Sequence, residues 1–190
     1  MVDVGGGLGI RYVETERAPS IHGFVETILE RVARAWALHG LPASRLVFEP
    51  GRSVVGEAGV TLYTVGSVKQ ASEQTAYVAV DGGMSDNPRP QLYEARFSCV
   101  LANRMDDPTE GVYTVCGKHC ESGDVLVERV SLPRPERGDL VAVPATGAYT
   151  LAMASNYNAV PRPAAVLVAD GNARLIRKRE TVDDLLSLEV

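Results

Sequence analysis

The sequence predicts an α/β unit followed by an all-β part, and three observations carry that prediction. A short apolar stub, Met1 to Val4, runs straight into a glycine-rich turn, Gly5-Gly6-Gly7-Leu8-Gly9. Between Pro19 and Gly40 the apolar residues Ile21, Phe24, Val25, Ile28, Leu29, Val32, Ala35 and Trp36 recur at helical spacing. Beyond residue 60 the rhythm changes to short β-rich runs separated by glycine and proline turns. The expected boundaries are therefore 1–60 for the α/β part and 61–190 for the β part.

In the first part, Ser20 is placed to cap the helix N-terminus and Gly40 to stop it. Leu46-Val47-Phe48 then reads as a buried strand ending at Glu49-Pro50-Gly51-Arg52. Strand, glycine loop, helix, strand, loop is the order of an α/β unit with a parallel sheet. Ligands of such units sit where the strands end, and both loops fall at that edge. In the second part, strands are expected at 61–69, 75–80, 112–116, 125–130, 139–143 and 164–169. Asp170-Gly171 is a hairpin signal between apolar runs. Thr181 to Asp184 has the form of a capping box opening a last helix through Leu185, Leu186 and Leu188. The expected architecture is an antiparallel β-sandwich or barrel.

Composition excludes several function classes. The net charge of -5 and the lack of a lysine- or arginine-rich block offer nucleic acid no electrostatic footprint. No apolar run approaches the roughly 20 residues of a membrane span, and the first residues lack the layout of a signal peptide. The three cysteines, Cys99, Cys116 and Cys120, form no framework, which implies free thiols and a reducing cytoplasm. Cys116 and Cys120 flank His119, yet no second ligand pair completes a zinc set, so no metal site is expected. A glycine loop preceded by so little strand suggests that the chain is the second part of something larger.

Four clusters could carry chemistry. The Gly5–Gly9 loop is either a phosphate cradle made of backbone amides or a flexible turn. Glu49-Pro50-Gly51-Arg52 offers a guanidinium fork for a carboxylate or phosphate, or else a surface turn. Asp81 to Tyr93 places Arg89 between Pro88 and Pro90, which would preorganise an anion-binding fork in what is otherwise a hydrophilic connector. Cys116 to Asp124 crowds thiols, acids and His119 on an expected loop. A cysteine nucleophile with His119 as base is disfavoured there, because catalytic partners usually meet in space and not in sequence.

Taken in order, D-V-G-G-G-L-G, F-E-P-G-R-S, D-G-G-M-S-D-N-P-R-P-Q-L-Y, C-E-S-G-D and G-A-Y-T-L-A-M-A-S-N-Y-N closely resemble the diaminopimelate decarboxylases. These are pyridoxal-phosphate enzymes of the alanine-racemase-like fold that complete bacterial lysine synthesis. The resemblance runs almost end to end. It implies that residues 1–60 are the end of a (β/α)8 barrel and 61–190 the C-terminal β domain. It also implies that the front of the barrel, with the family's cofactor-bearing lysine and ring-stacking histidine, is not in this chain. Lys69 and Lys118 lie in no matching context, and His22 and His39 fall in the helix and at its end.

By the same resemblance, Gly5, Gly6, Gly7, Glu49 and Gly51 bind pyridoxal 5'-phosphate, and Tyr149 reaches either the phosphate or the substrate. Arg52 and Arg89, assisted by Tyr93, would take the distal carboxylate of diaminopimelate, and Glu121 its distal ammonium. Cys120 would be the proton donor. Cys120 and Glu121 act across a homodimer interface in this family, so shared active sites are implied. Ornithine- and arginine-type decarboxylases of this fold are close alternatives, but the ornithine type carries Asp where this chain has Glu121. A different class of reading is a non-catalytic paralogue that pairs with a full-length decarboxylase. The family reading leaves the fragment itself inactive.

Overall fold

The computed structural model describes residues 1–72 and 74–190. Strand β1 (Val2–Asp3) pairs in parallel with β2 (Leu46–Val47), Val2 opposite Leu46 and Asp3 opposite Val47. Helix α1 (Ile21–Leu38) joins them. Parallel neighbours need a crossover of this kind, which a tight hairpin cannot supply. The Ser20 side chain accepts from the Gly23 N–H at 3.1 Å, as an N-cap should. At the other end Gly40 takes a left-handed φ of 61°. Phe24 turns the apolar face of α1 toward Phe48, with ring centroids 6.5 Å apart, edge to face. One β–α–β unit is what this chain contributes, and an eight-fold barrel is not part of it.

Helix α2 (Gly51–Val55) follows directly. It leads into β3 (Val60–Ser72), β4 (Thr75–Val80), helix α3 (Arg89–Tyr93), β5 (Val100–Leu101), β6 (Gly111–Cys116), β7 (Val125–Leu132) and β8 (Leu140–Pro144). These six strands form one sheet in the order β5-β8-β3-β4-β6-β7. Its core is built by alternation: Tyr63 and Val65 of β3, Val78 and Val80 of β4, and Val115 of β6 all point inward with Leu126, Val127, Val141 and Val143. Val78, Val115 and Val141 are 0% exposed, which puts the centre of the core on β4, β6 and β8.

The sheet corrects the expectation that the β part is antiparallel throughout. β4 and β6 are parallel, Val78 opposite Val115, so the sheet is mixed and single. The cause lies in the connection: residues 81–110 hold α3 and β5, and a return of that length lets β6 enter in the same direction as β4. β9 (Ala165–Ala169) and β10 (Asn172–Arg177) form a separate hairpin across Asp170-Gly171. Helix α4 (Val182–Leu186) carries both bonds of the capping box between Thr181 and Asp184. Glu180 ties this last segment back, accepting from the Arg162 N–H at 2.9 Å, Asn156 Nδ2 at 2.7 Å and Arg162 Nη1 at 3.0 Å.

Candidate active site

Three loops converge because their backbones approach more closely than side chains would allow. A Cβ on Gly6 would overlap the Glu49 carbonyl oxygen. With Glu49 N–H donating to Gly5 O at 2.9 Å, this locks the glycine loop against the loop after β2. Gly5 and Gly7 take left-handed φ values of 70° and 83°, open to glycine without strain. A Cβ on Gly147 would overlap the Val55 carbonyl, and Gly147 N–H donates to Gly56 O at 2.9 Å. That second contact sets the 146–153 turn, with its Tyr149 at φ 60°, against α2.

The result is an open cleft of about 420 Å³ whose walls include Gly7, Glu49, Gly51, Arg52, Arg89, Tyr93 and Tyr149. Gly5 and Gly6 complete the loop beside it. Residues scattered over the first 150 positions thus share one space. Met153, which sequence reasoning missed, adds an apolar wall. Among the described residues no lysine lines the cleft.

Arg89 dominates its electrostatics. The side chain is only 8% exposed, and no carboxylate lies within ion-pair distance of it among the described residues. Its Nε is buried without a hydrogen-bond partner. Instead the guanidinium carbon lies 5.2 Å from the Tyr12 ring centroid, 5.4 Å from Tyr149 and 5.7 Å from Tyr93. Aromatic faces stabilise a cation while leaving its charge available. Pro88 and Pro90 bracket it at the start of α3, where fixed φ angles suit a first helical turn. The stretch 89–93, read as a connector, is therefore helical. Tyr12 was invisible to sequence reasoning, since nothing local marks it as a neighbour of Arg89.

Arg52 differs from the expected free fork. α2 begins at Gly51, and from its first turn Arg52 Nε donates to Leu8 O at 3.3 Å and Nη2 to Gly7 O at 3.2 Å. Part of the guanidinium thus braces the glycine loop from behind. The amides of Gly6 and Gly7 donate to no protein acceptor among the described residues. That leaves a pair of adjacent N–H groups, a braced loop and a buried cation, a donor set suited to a phosphate at one end and a carboxylate at the other.

Cys120 and Glu121 are not in this cleft; both are exposed on a separate turn. That turn is organised by Asp124, whose carboxylate accepts from Met84 N–H at 2.7 Å and His119 N–H at 2.9 Å. Gly83 and Gly117 pack so tightly on the carboxylate that a Cβ at either would collide with it. His119 is buried, its Nε2 2.9 Å from Ser85 Oγ and its ring 5.4 Å from Tyr157. Burial, and then the Asp124 charge, push the Cys116 thiol up from its ordinary range, which disfavours a thiolate. Among the described residues no three His, Cys, Asp or Glu side chains are grouped to hold a metal, and no helix is long and apolar enough to cross a membrane.

Residues 13–147 match the family described as pyridoxal-dependent decarboxylase, C-terminal sheet domain. The chain belongs to the pyridoxal-dependent decarboxylases. It is 52% identical over 185 residues to a diaminopimelate decarboxylase of Synechocystis sp., covering 97% of this chain and 39% of that protein. With the diaminopimelate decarboxylase of Bacillus subtilis it shares 46% identity over 190 residues, 100% of this chain and 43% of that one. The crystal structure of diaminopimelate decarboxylase from M. jannaschii in complex with L-lysine superposes with a TM-score of 0.90 at 34% identity, over 99% of this chain and 42% of that one. The chain spans about two fifths of the length of the curated relatives it matches.

Proposed function

We propose that this chain supplies one side of the active site for decarboxylation of meso-2,6-diaminopimelate to L-lysine and CO2. The carrying observation is Arg89, a buried guanidinium with no protein counter-ion, facing the same cleft as Gly7 and the amide donors of its loop. Pyridoxal 5'-phosphate, when bound, supplies the electron sink for the bond that breaks. The Gly6 and Gly7 amides, backed by Gly5, Glu49 and Gly51, would hold its phosphate. Arg89 and the free edge of Arg52 would hold the distal carboxylate, with Tyr93 and Tyr149 adding hydroxyls. Cys120 would return a proton to the α-carbon and Glu121 would pair with the distal ammonium, both from the exposed turn into a partner subunit's cleft. Residues 1–60 are then the end of a barrel and 61–190 the sheet domain that closes it.

A second reading takes the chain as a non-catalytic partner of a longer decarboxylase, with the same cleft as its anion site. Phosphorus NMR of the chain titrated with pyridoxal 5'-phosphate tests the common core of both. A bound resonance displaced by inorganic phosphate and absent in Gly7→Asp supports it; no bound resonance in the wild-type chain refutes it. Lysine formation on mixing with a front barrel half separates the catalytic reading from the partner reading.

A further inference from the structure

We infer that Tyr12 is a positioning residue that holds Arg89 in its ligand-ready pose and sets its distance from the glycine loop. The inference rests on the proposed anion role of Arg89, and it assigns a residue outside the cleft wall. Tyr93 and Tyr149 are 61% and 47% exposed and line the cleft, so they can move with a ligand. Tyr12 is half-buried, does not line it, and has its ring centroid 5.2 Å from the guanidinium carbon, the shortest of the three ring distances.

Tyr12 is itself clamped to the sheet. Its ring meets Phe97 edge to face, centroids 5.1 Å apart at 76°, and Phe97 belongs to the core. Ser98 Oγ donates to Tyr12 O at 3.3 Å, and Tyr12 N–H donates to Glu16 Oε2 at 2.9 Å. On its other side the chain runs through buried Ile10 and Leu8 to the glycine loop. One short segment therefore joins the amide donors to the platform under the guanidinium. A carboxylate in the place of this ring would neutralise Arg89 and compete with an incoming anion. A ring face stabilises the cation and leaves its donors to the ligand. Because Tyr12 is anchored on the core by Phe97 and by backbone hydrogen bonds, it fixes the span between the two anion sites, and a ligand must match it.

The test uses the chain with Tyr12→Leu, Tyr12→Met and Tyr12→Phe, titrated with meso-diaminopimelate and with L-lysine, which lacks the second carboxylate. Proton–nitrogen NMR follows the Arg89 Nε–H directly and needs no ligand. In Tyr12→Leu that signal should lose the Tyr12 share of its ring-current shift and move, and diaminopimelate should bind about 5- to 30-fold more weakly, while lysine changes less than about twofold. Tyr12→Phe, which restores the ring face, should recover both readouts. Tyr12→Met serves if the leucine variant does not fold. The inference is overturned if the Arg89 signal is unmoved in Leu and Met, if both ligands weaken equally, or if Phe behaves like Leu. A wild-type chain that binds the two ligands equally refutes the proposed function, and the Arg89 signal still decides the role of Tyr12.

Discussion

Gly6 lies so close to the carbonyl oxygen of Glu49 that no other residue fits between the two loops. Its neighbour Gly5 accepts from the Glu49 N–H at 2.9 Å, so the strand ends are zipped together at the mouth of the cleft. Gly6→Ala should force them apart at about 1–3 kcal/mol, the usual cost of overpacking. Because β1 and β2 pair over only two residues each, the damage should be local. Hydrogen exchange should show lost protection at Val4 and Glu49 with Val78 unchanged; global unfolding instead would contradict this.

Arg89 is a largely buried cation without a protein counter-ion, an arrangement that costs stability. Arg89→Met, of similar length and apolar, should leave the chain equally stable or more so by up to about 2 kcal/mol in urea unfolding. The variant should also lose ligand stabilisation. At diaminopimelate a hundred times its Kd, wild type should gain about 2.7 kcal/mol and the variant nothing measurable. A destabilised variant that still responds to ligand would show that the guanidinium has a structural task.

Asp124 staples two loops by accepting the Met84 and His119 amides. Asp124→Ala strands both donors in a region where Asp124 is only 2% exposed. The expected loss is about 2–4 kcal/mol in urea denaturation. Chemical shifts of Cys120 and Glu121 should become those of a mobile turn, while Arg89 keeps its own.

Glu180 governs the response of the C-terminal segment to acid. The Arg162 N–H, the Asn156 amide and the Arg162 guanidinium hold its carboxyl down from 4.5 to about 2. A depressed folded-state pKa means the stabilisation is complete above the unfolded value and is lost as pH falls toward the folded one. Protection of the Arg162 amide should therefore be flat above pH 4.5 and decline between there and about 2. Glu180→Gln should remove that pH dependence, and a decline that persists in the variant would assign it to another group.

What could be read from residue order was what neighbours decide. Ser20 and Gly40 bound α1 as their capping chemistry requires, and the Thr181–Asp184 box opens α4. The six expected β runs all contain strands, because β-rich composition between glycine and proline turns is a local signal. Five short segments in a fixed order were enough to mark the decarboxylase family. Tertiary structure decided the rest. β-rich composition is the same in parallel and antiparallel strands, so the parallel β4–β6 pair had no signature along the chain. The helices at 51–55 and 89–93 are too short for a periodicity to show. Tyr12 under Arg89, and Arg52 turned back onto Gly7 and Leu8, depend on loops meeting across the fold. Such meetings are governed by backbone approach and core packing, which sum over the whole molecule and leave no mark in any one stretch of sequence.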